Sequence, residues 1–161
     1  MEIEMKIKGL MLDPLSNMPI IVLVDTKGER ALPIWVGFFE ANAIALQIEN
    51  ISTPRPMTHD LIKNILYALN AKVKKIVIND LQDNTFYALI YAEVNGRKYI
   101  FDSRPSDAIA LALRLRTPIY VVEKVISKAK SIEINKDAVD QESLQKWLES
   151  LNPEDLGKYK V

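Results

Sequence analysis

The dipeptide Asn95-Gly96 constrains the fold of this chain more than any other short feature of its sequence. Both residues tolerate a positive φ, so an Asn-Gly pair between two β-rich segments favours the tight type I′ turn of a hairpin. The segments on either side, residues 85–94 and 98–102, are rich in aromatic and β-branched side chains. A further β-rich segment, residues 73–81, precedes them across a short polar turn. We therefore predict a meander of three antiparallel strands.

Other patterns extend this sheet and place helices beside it. Residues 2–10 alternate charged and apolar side chains, and residues 20–24 and 30–36 flank a turn that predicts a second hairpin. Helical spacing predicts helices over 39–49, from 58 to about 70, from 105 to before Pro118, and over 137–150, with a short buried strand over 119–122. The predicted fold class is α+β. It is a compact single domain of mixed or antiparallel strands with packed helices over residues 1–130, followed by a C-terminal helical extension over residues 131–161.

The predicted helix that follows Pro56 carries an apolar stripe. Thr58 is its expected N-cap, because a threonine hydroxyl can accept a hydrogen bond from the first turn. We expect the stripe to be buried, and its members are Leu61, Ile62, Ile65, Leu66 and Leu69.

The tetrapeptide Ala-Ile-Ala-Leu occurs twice, at residues 43–46 and 108–111. Each copy follows a predicted strand and lies in a predicted helix. Small residues at these positions favour close packing of the helices on a sheet. A duplicated half-domain is the alternative interpretation, although four shared residues do not establish it.

Composition limits the classes of function that the chain can serve. Its 21 basic and 21 acidic residues cancel, so the chain lacks the net positive charge that holds nucleic acid non-specifically. It has no cysteine, which excludes disulfides and thiolate metal sites and fits a cytoplasmic protein. No apolar run has the length of a signal peptide core or a membrane span. Scarce glycine and abundant lysine, glutamate and isoleucine are typical of a thermophile.

Two segments, residues 54–61 and 102–109, share an Arg-Pro pair followed by acidic residues at the start of a predicted helix. Helix starts expose unpaired N–H groups with partial positive charge, and arginine adds a forked cation suited to phosphate. The charged and titratable members of the two segments are Arg55, His59, Asp60, Asp102, Arg104 and Asp107.

Most of these residues also have an ordinary structural explanation. An acid in the first helical turn, such as Asp60, Asp107 or Glu40, complements the helix dipole. Pro105 suits a first turn, with Arg104 or the serine before it as the cap. Because arginine is a poor N-cap, helix initiation explains Arg104 least well.

The same residues suit chemistry on an anionic substrate. His59 is the only histidine in the chain, and histidine is the natural proton shuttle at neutral pH. Carboxylates such as Asp102, Asp107 and Glu40 are ligands that Mg²⁺ or Mn²⁺ prefers. The chain contains no Gly-rich phosphate loop, no G-x-S-x-G elbow and no H-E-x-x-H pair. P-loop, common serine-hydrolase and zincin chemistries are therefore excluded.

Six motifs follow one another in a characteristic order along residues 32–112. They occupy residues 32–37, 40–41, 43–45, 55–61, 85–88 and 102–112, and they read LPIWVG, EA, AIA, RPMTHDL, TFYA and DSRPSDAIALA. Together they resemble the bifunctional nuclease (BFN) domain family, over roughly residues 1–130. The resemblance implies a compact α+β domain and cleavage of both DNA and RNA, as attributed to plant members.

We therefore hypothesise that the two Arg-Pro segments meet in one cleft. Two arginines would clamp the scissile phosphate, one set of side chains would move protons, and another would hold Mg²⁺ or Mn²⁺. The clamp is Arg55 and Arg104, the catalytic set is His59, Asp60 and Asp107, and the metal set is Asp102, Asp107 and Glu40.

Two other functions stay open at this point. The Arg/Asp segments can form buried ion pairs in a non-enzymatic oligomeric binding or regulatory module, or they can bind a small anionic ligand. Sealed arginine donors favour the module, whereas free donors in an open cleft favour catalysis or ligand binding. The expected partners are nucleic acid and a second copy of the chain, most simply as a homodimer, with no membrane. The basis for self-association is apolar surface that we expect one small domain to leave uncovered, offered by Trp35, Phe38, Phe39 and the amphipathic C-terminal helix.

Overall fold

The computed structural model describes residues 1–129, which form one mixed sheet with helices packed against it. The strands are β1 (Glu2–Leu12), β2 (Pro19–Asp25), β3 (Ala31–Trp35), β4 (Lys72–Gln82), β5 (Thr85–Val94), β6 (Arg97–Ser103) and β7 (Ile119–Val122). The helices are α1 (Phe38–Ile48), α2 (Thr58–Ala68), α3 (Pro105–Leu115) and α4 (Glu123–Lys128). The predicted α+β class is confirmed.

The predicted meander is present as β4, β5 and β6, each antiparallel to the next. Asn95 and Gly96 have φ values of 49° and 77°, so the turn between β5 and β6 uses positive φ at both central residues, as a type I′ turn requires. The second predicted hairpin is also confirmed, because β2 and β3 pair antiparallel.

Strand β7 joins the two halves of the sheet. It pairs antiparallel with β1 and parallel with β4, giving the strand order β3-β2-β1-β7-β4-β5-β6. On each side of β7 the chain forms three antiparallel strands followed by a helix that belongs to the core. This arrangement makes β3 and β6 the two edges of the sheet.

Helices α1 and α3 pack against each other and fill the core beside the sheet. Both Ala-Ile-Ala-Leu segments are buried in this contact. Their small side chains allow the helix backbones to approach closely, as expected for helices packed on a sheet. The core alanines are Ala41, Ala43, Ala45, Ala108, Ala110 and Ala112.

Two predictions about α2 are wrong. Its apolar stripe is not buried in this chain: Leu61 is 54% exposed, Ile65 49% and Leu69 62%. The reason is that α1 and α3 already fill the core, so α2 packs on α3 instead. The N-cap is Met57 rather than Thr58, because a carboxylate of the first turn takes the Met57 N–H.

The short helix α4 directly follows β7 and was not predicted. The predicted helix over residues 137–150, and the predicted extension over 131–161, lie outside the described residues. None of the helices within residues 1–129 has the length and apolar character needed to cross a membrane.

Candidate active site

The starts of α2 and α3 meet in space, and with them the two Arg-Pro segments. His59 Nε2 lies 2.9 Å from Asp107 Oδ1, across 48 residues of sequence. Strand β6 runs almost directly into α3, with Arg104 as the N-cap in extended backbone conformation. The prediction that the segments converge is thus fulfilled for this pair of residues.

Arg104 ties the pair to a third helix. Its Nε and Nη2 atoms each lie 2.8 Å from Asp107 Oδ2, and Nη2 lies 2.9 Å from Glu40 Oε1 on α1. The hydrogen bond to Asp107 and the charge of Asp107, with a smaller contribution from Glu40, raise the pKa of Arg104, which therefore stays cationic. Asp107 thus binds the side chain of the residue that caps its own helix.

Gly37 is what allows Glu40 to lie where it does. The Glu40 carboxylate folds back over the helix start, and a Cβ atom on residue 37 would overlap Glu40 Oε2. Gly37 has φ −70° and ψ 159°, a conformation open to any residue, so the need for glycine is steric. Sequence reasoning missed Gly37, because no local pattern shows that the side chain three residues later folds back onto the glycine.

Glu40, His59, Arg104 and Asp107 form what we call the four-residue network, and its members become more exposed from one end to the other. The side chain of His59 is 9% exposed, that of Glu40 18%, that of Asp107 31% and that of Arg104 65%. Within residues 1–129, Arg104 Nη1 has no hydrogen-bond partner. The network therefore presents the free Nη1 group of the Arg104 guanidinium. Behind it lies the Asp107 carboxylate, which the buried His59 orients.

Asp60 lies on the other side of the α2 start and serves a different partner. Its Oδ2 accepts the Met57 N–H at 3.0 Å, and its Oδ1 lies 2.7 Å from Arg114 Nε. Burial opposes ionisation of Asp60, but these two hydrogen bonds outweigh it and lower the pKa of the carboxyl group. Both oxygens are thus occupied in holding the first turn of α2 to α3.

Arg114 is buried and joins three helices. Besides Asp60 on α2, it donates to the Ala110 carbonyl in its own helix at 2.9 Å and to the Ala43 carbonyl of α1 at 3.1 Å. Sequence reasoning missed it. The available signal is that Arg114 follows Asp107 by seven residues, two turns along one face of an otherwise apolar helix.

Besides Asp60, two further predicted site residues, Arg55 and Asp102, lie outside the network. Arg55 lines a polar cleft with Asp60, Lys63 and Arg114, whereas Arg104 lines a separate shallow depression that also contains Asp102. The structure thus brings Glu40, His59, Arg104 and Asp107 together, places Asp102 beside them, and puts Arg55 in a neighbouring cleft.

A metal site is not preformed by these side chains. Among residues 1–129, no three histidine, aspartate or glutamate side chains converge closely enough to hold an ion. Both oxygens of Asp107 and one of Glu40 are already bound to His59 or Arg104. The arrangement does not fit a set of metal ligands, and we derive no chemical step through a metal. The need for Mg²⁺ or Mn²⁺ stays a prediction.

Comparison with known proteins identifies the family. The model of the bifunctional nuclease domain matches residues 21–134, which contain the whole four-residue network and Arg114. This chain belongs to that family. An uncharacterized protein of Mycobacterium tuberculosis is 38% identical over 162 residues, covering 95% of this chain and 97% of that protein.

Plant relatives of this bifunctional nuclease domain protein are more distant and much longer. Bifunctional nuclease 2 of Oryza sativa subsp. japonica is 31% identical over 107 residues, covering 64% of this chain and 33% of that protein. Bifunctional nuclease 2 of Arabidopsis thaliana is 28% identical over 93 residues, covering 56% of this chain and 28% of that protein. The resemblance seen in the sequence motifs is confirmed, and it places the chain in the family without assigning the plant activity to it.

Proposed function

We propose that this protein hydrolyses phosphodiester bonds of nucleic acid at the four-residue network. The observation that carries the proposal is the Arg104 guanidinium, fixed between two carboxylates with one amine free beside an aspartate–histidine pair. Membership of the bifunctional nuclease domain family supports the choice of substrate. A fixed cation next to an oriented carboxylate is also what hydrolysis of a phosphate ester requires.

Each network residue has one proposed task. The free amine of Arg104 binds a non-bridging phosphate oxygen and offsets the charge that grows on it as water attacks phosphorus. Asp107, partly exposed, accepts a proton from that water. The P–O bond to the leaving nucleotide breaks, and the departing oxygen takes a proton from solvent. His59 is nearly enclosed. Its Nε2 atom holds Asp107 in place, and its ring takes part in the proton transfer. Glu40 holds the Arg104 side chain toward the substrate.

The Asp60–Arg114 pair favours a structural task for the other half of the predicted site. Arg114 is buried with all of its observed bonds directed at protein atoms, which is the arrangement expected of the non-enzymatic module. We therefore assign catalysis to the network alone and assign Asp60 to holding α2. The cleft that contains Arg55 and Lys63 remains open to an anion, either a flanking phosphate or a small ligand.

The test is a nuclease assay on single-stranded DNA, duplex DNA and RNA, each with Mg²⁺, Mn²⁺ or EDTA. The wild-type chain is compared with His59→Gln and Arg104→Lys, since lysine keeps the charge but loses the forked geometry. Asp83→Asn is the matched control, because Asp83 lies in the exposed β4–β5 turn with φ 48°, where asparagine is well tolerated.

We expect both network variants to lose at least tenfold in rate, while Asp83→Asn cleaves as the wild type does. Equal cleavage by all four proteins would place the active site elsewhere or reveal a contaminating nuclease. Cleavage that EDTA abolishes would establish the predicted metal requirement. Cleavage unchanged in EDTA would rule that requirement out.

A further inference from the structure

The edge strand β6 carries a row of side chains that the proposed chemistry does not use. Arg97, Tyr99 and Phe101 alternate along β6 and therefore point to one face of the sheet. Tyr99 is 40% exposed and Phe101 47% exposed. Their rings are nearly parallel, at 6°, with centroids 6.3 Å apart. Two large rings are thus held side by side at the surface of an edge strand.

This row faces the side of the sheet on which the network lies. Ser103 continues the same alternation, and its cross-strand neighbour Ala88 is buried in the core that contains α3. After Ser103 the chain reaches Arg104, the N-cap of α3. At about 3.3 Å per residue, Phe101 lies about 10 Å along the chain from Arg104 and Tyr99 about 17 Å. The row therefore leads directly to the network.

The charge on the row itself favours a polyanion. Among residues 1–129, Arg97 forms no ion pair. Lys98 and its cross-strand partner Glu93 lie on the opposite face by the same alternation, and both line one shallow depression with Lys74. Asp102 lines the depression that contains Arg104. The row therefore presents one unpaired cation beside two exposed rings.

We propose that the Arg97–Tyr99–Phe101 row binds single-stranded nucleic acid and leads it to the network. Bases of a single strand are free to stack on exposed aromatic rings, whereas duplex bases are already stacked on one another. Arg97 contacts the backbone phosphates. The direction of the strand rests on the proposed nuclease function, but binding to the row does not.

The test measures binding without cleavage, by fluorescence anisotropy of a labelled oligothymidylate of about 12 nucleotides in EDTA at low salt. A matching duplex is the second probe, and a denaturing gel shows whether each probe stays intact. The variant is the pair Tyr99→Leu and Phe101→Leu, which keeps apolar bulk but removes the rings. Trp35→Leu is the matched control, because Trp35 is 48% exposed on β3, at the opposite edge of the sheet.

We expect the leucine pair to raise the Kd for the single strand by about tenfold, with Trp35→Leu unchanged. Arg97→Gln should weaken binding and reduce its dependence on salt. The exchange Tyr99→Phe with Phe101→Tyr keeps both rings and should bind as the wild type does. It therefore separates loss of stacking from damage to the strand.

Three results would overturn the proposal. They are equal binding by the leucine pair and the wild type, equal binding of duplex and single strand by the wild type, and loss of binding in the ring-exchange variant. A change of sedimentation in the leucine pair without a change in Kd would mark the row as a protein contact instead. If binding depends on the two rings but the protein cleaves no nucleic acid, the binding row is supported and the proposed nuclease function is rejected. If cleavage depends on His59 but binding does not depend on the rings, the nuclease function is supported and the binding row is rejected.

Discussion

Asp107 is the residue on which the network depends, because its two oxygens serve different partners. Oδ1 meets the buried His59, and Oδ2 receives two nitrogens of the exposed Arg104. One carboxylate thus fixes the first turn of α2 to the first turn of α3. It also sets the geometry of the Arg104 guanidinium.

Replacing Asp107 by asparagine tests this double task. The amide keeps the shape but loses the charge that holds the Arg104 guanidinium. We expect the rate of cleavage to fall by about 100-fold and the free energy of unfolding to fall by about 1–2 kcal/mol. Single-turnover cleavage and urea denaturation measure the two quantities. An Asp107→Asn protein with wild-type rate would remove Asp107 from the mechanism.

Asp60 makes a prediction about acid stability. Its pKa is lower in the folded chain than in the unfolded chain, where it is near 4, so the folded state binds fewer protons. Its contribution is therefore complete above pH 4 and is lost as the pH falls through the folded-state value. We expect Asp60→Asn to cost about 2 kcal/mol at pH 7 and progressively less as the pH falls below 4.

Urea denaturation of the wild type and Asp60→Asn at several pH values measures this difference. Asp83→Asn serves as the control, since Asp83 lies in an exposed turn. A difference between wild type and Asp60→Asn that stays constant from pH 7 to pH 3 would show that the ion pair with Arg114 is not its source.

At the scale of elements, the residue at the start of α1 suits the geometry of the site more than the stability of the helix. Gly37 is the N-cap but makes no side-chain cap bond, and its lack of a Cβ leaves room for the Glu40 carboxylate. Serine or aspartate would cap α1 better. The start of α1 therefore lacks a stabilising side-chain cap at the position where the Glu40 carboxylate requires space.

Gly37→Ala separates stability from activity. Alanine fits the backbone conformation of residue 37, so we expect the free energy of unfolding to stay within about 1 kcal/mol of wild type. The flexible Glu40 side chain must move, which frees Arg104 on one side, and we expect the cleavage rate to fall severalfold. Thermal unfolding and the nuclease assay provide the two measurements.

Gly28→Ala should behave in the opposite way and is the matched control. Gly28 has φ 72° in the β2–β3 turn, where alanine is strained although no atom lies within 4 Å of the added Cβ. We expect it to lose about 1 kcal/mol of stability and no activity. Equal activity in the Gly37→Ala and wild-type proteins would show that Glu40 is not needed to hold Arg104.

At the scale of the whole molecule, the network lies where the two halves of the chain meet. Glu40 comes from the helix after the first three strands, and Arg104 and Asp107 come from the start of the helix after the second three. His59 comes from α2, which connects the halves. The site therefore exists only when the two halves pack together through α1, α2 and α3.

The predicted homodimer stays a prediction, and the exposed stripe of α2 is the surface on which we expect it. A stripe of uncharged apolar residues can face its own copy across a twofold axis without repulsion between like charges. We expect sedimentation velocity to show a dimer in the wild type and a monomer in Ile65→Lys. Leu15→Lys is the control, because Leu15 is 96% exposed in the β1–β2 loop. A wild-type monomer, or an Ile65→Lys dimer, would contradict the prediction.

The sequence alone determined the parts of this protein that depend on neighbours a few residues away. The Asn95-Gly96 turn follows from the φ values those two residues accept, and the meander follows from alternation along each strand. The order of the motifs also identified the family. It marked Glu40, His59, Arg104 and Asp107 as candidates, together with three others that the network does not include.

Only the tertiary structure decided which of those candidates meet. The His59–Asp107 contact spans 48 residues and the Asp60–Arg114 contact spans 54. An apolar stripe shows that a helix has a hydrophobic face but not what covers it, which is why the stripe of α2 was wrongly expected to be buried. Arg114 and Gly37 escaped notice for the same reason: their roles come from atoms that packing brings to them, and local sequence preferences carry no information about those atoms.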